Sequence, residues 1–253
     1  MHKLLCREHK TSGKASCDLS GGVSVIIPCL NEAKTLLTCI QSAKQGLKNG
    51  NYSGEIIVAD NGSTDGCQAI AKAAGAEVVE VQERGYGAAI LMGMRASKGK
   101  WALIGDADCS YDFRVIPSFV EKLRCGFDLV MGNRFSGKIM SGAMPWHHRY
   151  IGNPLLSGVG RMIYRPNCRD FHCGMRAFDL AKISGLGLRC TGMEFASEMV
   201  MAAACGGLEI TEIPIVLYPD QRCRRPHLRS FRDGWRHLSL LIRGLDRSNG
   251  EIR

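Results

Sequence analysis

Trp101-Ala-Leu-Ile-Gly-Asp-Ala-Asp108 is an apolar run that ends in two carboxylates separated by one residue. A short apolar run with polar ends reads as a buried strand. In an open α/β sheet, ligands bind beyond the carboxyl ends of the strands, which is where Asp106 and Asp108 then fall. The same arrangement recurs upstream. Val23-Ser-Val-Ile-Ile27 is stopped by Pro28, with Asn31 and Glu32 just beyond, and Glu55-Ile-Ile-Val-Ala59 runs into Asp60. Three polar clusters on one sheet edge predict a site.

Helical stretches fill the gaps between these runs. One follows Glu32 to about Leu47, one follows the Asn61-Gly-Ser-Thr-Asp65 turn to about Ala74, and one runs from Gly85 to about Ala96. Glu77-Val-Val-Glu-Val81 adds a strand, and a helix at 115–124 with a strand at 128–131 continues the pattern. Strands alternating with helices predict an α/β fold, a mostly parallel sheet with helices on both faces. Beyond residue 132 the pattern loosens. Ser136 to Pro145 reads as a mobile loop, Trp146 to Ile163 as helical and Leu208 to Tyr218 as a late strand. Residues 1–21 read as a flexible leader, 22–220 as the main domain and 221–253 as a basic amphipathic segment.

The chain has 253 residues, of which 45% are hydrophobic and 23% charged, enough for one large buried core. The net charge of +9 is concentrated at the end, where Arg222 to Arg253 holds nine Arg against three acidic residues. Phe231, Trp235, Leu238, Leu241 and Ile242 are spaced for one helical face among those arginines. That combination predicts peripheral contact with an anionic membrane surface. No nucleic-acid module is present. The twelve Cys have mostly core-like neighbours, as at Cys29, Cys39, Cys109 and Cys205, and no C-x-x-C pair occurs. Cys6, His9 and Cys17 fit no standard metal spacing. Met1 to Ser20 carries no secretory signal. Reduced thiols in a cytoplasmic protein follow, reaching at most the cytoplasmic face of a membrane.

Two hard carboxylates at a strand end suit Mg²⁺ or Mn²⁺, which also take phosphate oxygens. Asp60, at the end of its strand, suits a ribose or a base edge, while Ser63 and Asp65 suit a helix cap. Arg84-Gly-Tyr-Gly87 resembles a phosphate-cradling turn, yet Ile90 stands where the dinucleotide fingerprint needs its last glycine.

In order, Val23 to Glu32, Glu55 to Gly66 and Gly105 to Asp108 resemble the family 2 glycosyltransferases of the GT-A (Rossmann-like) fold. The resemblance runs from about Val23 to Leu238. Asp170 to Phe178 and Met193 to Glu198 look like the polyprenyl- and dolichyl-phosphate sugar synthase branch, many of whose members continue into membrane helices. The resemblance implies that Pro28, Asn31 and Glu32 line a nucleotide pocket and that Asp60 meets the base. Gly85 and Gly87 would let the chain pass close to the nucleotide. Asp106 and Asp108 would hold the divalent metal, and Arg134 would meet phosphate. Asp170 and Glu194 would sit by the transferred sugar, with Arg222 and Arg224 gripping phosphates.

The implied reaction is an inverting transfer of a hexose from a UDP-glucose or GDP-mannose type donor to a polyprenyl-phosphate lipid. A lipid phosphate is already anionic, so it needs positioning more than deprotonation. A hydroxyl acceptor would need a general base, with Asp170 as first candidate. The alternatives are a transferase with a soluble small-molecule or protein acceptor, a nucleotidyltransferase, and a binding module without catalysis.

Overall fold

The computed structural model describes residues 21–222 and 230–244. The β-branched run Val23–Cys29 forms β1, with Val25, Ile26 and Ile27 fully buried. Each such side chain stabilises the fold by roughly 1.5–3 kcal/mol. Strand β2 (Gly54–Asp60) pairs parallel with β1 on one side, and β4 (Trp101–Ile104) pairs parallel on the other. Pro28 is tolerated in this central strand because pairing with β4 ends at Ile26, so no ladder donor is lost on that side. Strand β3 (Glu77–Glu80) closes one edge on β2.

The helices α1 (Ala33–Asn49), α2 (Cys67–Ala73), α3 (Tyr86–Ala96) and α4 (Ile116–Arg124) connect these strands. The alternation read from the sequence is therefore present, with bounds shifted by one or two residues. The second half differs from it. Arg176–Asp179 forms β6, which pairs antiparallel with both β4 and β5 (Leu129–Ile139). The last strand, β7 (Ile210–Leu217), returns parallel to β5. The full order is β3-β2-β1-β4-β6-β5-β7, a mostly parallel sheet of GT-A type.

Strand β5 extends well past the run expected at 128–131. Asn133 pairs with Pro214 and Lys138 with Val216, so residues 134–137 bulge against a single residue of β7. Asn133 builds this bulge: its Oδ1 accepts from the Phe135 and Ser136 N–H groups at 2.9 and 2.8 Å. The irregular segment expected from Ser136 therefore starts only after Ile139.

A π-helical turn at His148–Gly152 leads into α5 (Asn153–Tyr164), α6 is Leu180–Ser184, and α7 is Phe195–Cys205. Helix α8 (Ser230–Arg243) packs on α5 and α7. It buries Asp233, His237, Leu240 and Leu241 and leaves Trp235 and Ile242 exposed. The apolar face expected of this segment is thus split between the protein's own core and its surface. The predicted membrane-facing stripe is not a continuous outward face. The cysteines also divide: Cys29 and Cys39 are buried, Cys109 is half-buried and Cys205 is exposed.

Candidate active site

Strand β4 delivers its acidic end into a cluster of buried polar groups. Asp106 Oδ1 accepts from the Tyr86 hydroxyl at 3.3 Å. Gly174 leaves room for this carboxylate, since a Cβ there would lie 2.4 Å from Asp106 Oδ2. Burial pushes the Asp106 carboxyl up to about 7, and the neighbouring Asp108 charge adds to the effect. Arg222 and Arg176 oppose that rise. Arg176 is itself fully buried and donates to the Cys173 and Ala196 carbonyls at 2.6 and 3.2 Å.

Asp108 is anchored by Ser110, whose N–H and hydroxyl reach Oδ1 at 2.9 and 2.5 Å. Its Oδ2 faces Arg222 Nη2 at 2.8 Å. The same guanidinium reaches Glu32 at 3.4 Å and Asp220 at 3.3 Å. Backbone bonds hold the segment after β7 in place: Tyr218 N–H donates to Ser110 O and Gln221 N–H to Asp108 O, both at 3.0 Å. Residues far apart in sequence thus converge on the carboxyl ends of β1 and β4. Arg224 lies outside the described residues.

The ends of β1 and β2 form the adjoining wall. Asn31 adopts a left-handed conformation (φ 55°) and ties two loops together. Its Oδ1 accepts from Thr64 N–H at 2.7 Å, and its own N–H donates to Ser63 Oγ at 2.8 Å. Asp65 bonds the Cys67 N–H at 3.2 Å and the Ala33 N–H at 2.8 Å, serving the starts of α2 and α1 at once. Asp60 accepts from Gln68 Nε2 at 2.6 Å and Ser63 N–H at 3.2 Å. Burial would raise its carboxyl, but these hydrogen bonds outweigh it and hold Asp60 below the ordinary range. Pro28 is half-buried at the same edge.

The other predicted residues are placed differently from their neighbours in the site. Gly85 and Gly87 are pressed against the loop before α7: a Cβ would come within 2.0 Å of Thr191 O at Gly85 and 2.1 Å of Cys190 O at Gly87. Backbone approach to this loop accounts for both glycines. Arg134 and Asp170 are joined to each other. Arg134 Nε and Nη2 donate to the two Asp170 oxygens at 2.7 Å each, and Arg134 N–H adds a bond at 3.1 Å. Glu194 Oε1 accepts from Arg236 Nη2 at 2.7 Å. Its Oε2 is buried with no hydrogen-bond partner among the described residues.

Tyr86, Gly174, Ser110 and Arg176 were not read as site residues from the sequence. Tyr86 carried a signal as the residue between the two glycines of the Gly-Tyr-Gly turn, and Gly174 and Arg176 lie within the quoted stretch Asp170 to Phe178. The donor set fits a divalent ion. Asp106 and Asp108 offer hard oxygens, and a guanidinium already rests against Asp108 at 2.8 Å as a bound cation would.

Residues 24–186 match the model of the Glycosyl transferase family 2. This chain belongs to that family. The low-salt glycan biosynthesis hexosyltransferase Agl6 of Haloferax volcanii is 40% identical over 90% of this chain. The chain spans only 55% of the length of that relative. The glycosyltransferase AglJ of the same organism is 29% identical over 84% of this chain and 68% of its own. Among solved structures, the glucosyl-3-phosphoglycerate synthase of Mycobacterium tuberculosis with Mn²⁺, UDP and phosphoglyceric acid superposes with a TM-score of 0.67. It is 21% identical, covering 93% of this chain and 81% of that one, which establishes the shared GT-A fold.

These findings correct the expected acceptor. The polyprenyl-phosphate reading rested on Asp170 to Phe178 and Met193 to Glu198. In the structure those segments build the Arg134–Asp170 pair, strand β6 and the start of α7. Solved structures of the similar mycobacterial synthase include complexes with phosphoglyceric acid and glycerol 3-phosphate, which are small water-soluble anions, not lipids. The expected polyprenyl-phosphate acceptor is corrected accordingly. No helix among the described residues is long and apolar enough to cross a membrane.

Proposed function

We propose that this glycosyltransferase moves a hexose from a uridine-diphosphate sugar to a soluble small-molecule acceptor, with Mg²⁺ or Mn²⁺ held by Asp106 and Asp108. The observation that carries this reading is the convergence of Glu32, Asp106, Asp108 and Arg222 at the carboxyl ends of β1 and β4. The hexosyltransferase relative supports the transferred group, and the synthase complexes with Mn²⁺, UDP-glucose and phosphoglyceric acid support donor, metal and acceptor class.

When bound, the ion supplies positive charge to the departing diphosphate. Arg222 is placed to add a second positive charge at the same position, provided it turns from Asp108 toward the phosphates. Pro28, Asn31 and Glu32 line the nucleoside side, and Asp60 takes the base edge. Gly85 and Gly87 set the path of α3, so that Tyr86 meets Asp106 from its first turn. A hydroxyl acceptor needs a proton acceptor within reach. Glu194, with one buried oxygen unpartnered among the described residues, suits that role better than Asp170, whose oxygens are both taken by Arg134. The Arg134–Asp170 pair then acts as a positioning element beside the sugar.

The test is nucleoside diphosphate release from UDP-glucose and GDP-mannose with Mn²⁺, with and without phosphoglyceric acid. Acceptor-stimulated UDP release is expected. Release of diphosphate from neither donor under any acceptor would sink the reading.

A further inference from the structure

Cys29 closes β1, Asp60 closes β2 directly opposite it in register, and Cys67 opens α2. Their donor atoms converge. Cys29 Sγ lies 3.5 Å from Cys67 Sγ, and Cys67 Sγ lies 3.6 Å from Asp60 Oδ1. One donor atom from each residue lies within 4.8 Å of the others, and all three side chains are buried. A tetrahedral ion with sulfur at ~2.3 Å and oxygen at ~2.1 Å requires S–S and S–O edges of roughly 3.8 and 3.6 Å. The two separations sit within a few tenths of an ångström of those edges.

The surroundings also suit a ligand set. Asp60 Oδ2 is held by Gln68 and Ser63, which leaves Oδ1 turned toward the thiols. Such outer hydrogen bonds are what orient a ligating carboxylate. A second thiol pair, Cys39 and Cys109 at 3.6 Å, gains no third ligand at this range among the described residues.

We propose that Cys29, Cys67 and Asp60 bind one thiophilic divalent cation of the Zn²⁺ class. Two thiolates select a softer ion than the all-oxygen pair of Asp106 and Asp108. Binding releases the thiol protons to solvent. Resting on the proposed reading of Asp60 as a base contact, the cation also weakens UDP binding, because it takes the carboxylate the base would use.

Co²⁺ titrated into the full, reduced chain tests this. A thiolate-to-cobalt charge-transfer absorption is expected, saturating near one equivalent and displaced by Zn²⁺. Cys67→Ser should weaken it at least tenfold, and Cys39→Ser should leave it unchanged. Absence of the absorption, or equal strength in Cys67→Ser, overturns the site. Because a core substitution can disturb folding, X-ray absorption on the wild-type chain with substoichiometric Zn²⁺ gives a second readout. Sulfur scatterers at ~2.3 Å are expected there, and nitrogen or oxygen alone overturns the proposal. Adding UDP separates the two readings: cobalt absorption that UDP leaves untouched supports the cation site and counts against Asp60 as a base contact.

Discussion

The Arg222 guanidinium lies 2.8 Å from the Asp108 carboxylate, bridging the segment after β7 to the end of β4. Both groups are largely buried, so the pair is poorly screened. Arg222 therefore competes with any cation that Asp108 is to hold. Arg222→Ala should tighten Mn²⁺ binding by about tenfold without nucleotide, or about 1.4 kcal/mol, while slowing sugar transfer. Titration of Mn²⁺ by electron paramagnetic resonance, alongside steady-state turnover, checks both halves. Unchanged Mn²⁺ affinity would show that the guanidinium does not contest the site.

Asp108→Asn keeps the shape of the side chain and removes its charge. Metal-dependent turnover should fall by a hundredfold or more, with the melting temperature shifted little. Normal turnover at saturating Mn²⁺ and donor would falsify the metal assignment.

Gly174 is the position where a single methyl group should damage the site. The added Cβ would press on Asp106 Oδ2 and on the Tyr111 ring, at 2.4 and 3.0 Å. Gly174→Ala is expected to lower Mn²⁺ affinity several-fold, at a folding cost of about 1–3 kcal/mol from overpacking. Calorimetric titration of Mn²⁺ read against urea unfolding separates the two effects. A folding loss with intact metal binding would mean that Asp106 is not a ligand.

The Arg134–Asp170 pair is buried and bidentate, so removing one partner strands the other charge. Asp170→Asn or Arg134→Met should each destabilise the fold by about 3–5 kcal/mol, and the double variant should cost less than the two together. Urea unfolding of the four proteins completes the cycle. Additive losses would mean that the pair is energetically independent.

Acid should loosen the seat of α8. His237 Nδ1 meets Ser197 Oγ at 2.8 Å, and its ring packs edge-on against His172 at 4.6 Å. Burial pushes His237 down to about 4, with Arg176 and Arg236 adding to the shift and Asp233 opposing it. The unfolded imidazole titrates near ~6.5, so the folded state favours the neutral ring. This contribution is full above that pH and is lost as pH falls from about 6.5 toward 4, by roughly 3 kcal/mol at the end of the window. Urea unfolding from pH 7.5 to 4.5 should show that slope, and His237→Gln should flatten it. An unchanged slope in the variant would assign the acid sensitivity elsewhere.

The first half of the fold was legible because its strands are short apolar runs closed by Pro28, Asp60 or Asp106, and each is followed by a helix. Periodicity and punctuation are local properties, and they report local structure faithfully. The acidic triplet was visible for the same reason: it directly follows the run that forms β4.

Strand β6 was not legible. Arg176-Ala-Phe-Asp179 is four residues with a charge at each end, and it becomes a central strand only because β4 and β5 flank it. Nor did residue type distinguish Arg222, which meets Asp108, from Arg134, which is spent on Asp170. Tyr86, Gly174 and the Cys29–Asp60–Cys67 cluster likewise owe their places to packing between distant segments. Asp106 to Asp108 as a sheet-end acidic pair was determined by the sequence itself, since neighbouring residues suffice to define it. Which cation faces that pair, and which thiols meet behind Asp60, depends on long-range packing, because those contacts join residues that nothing local brings together.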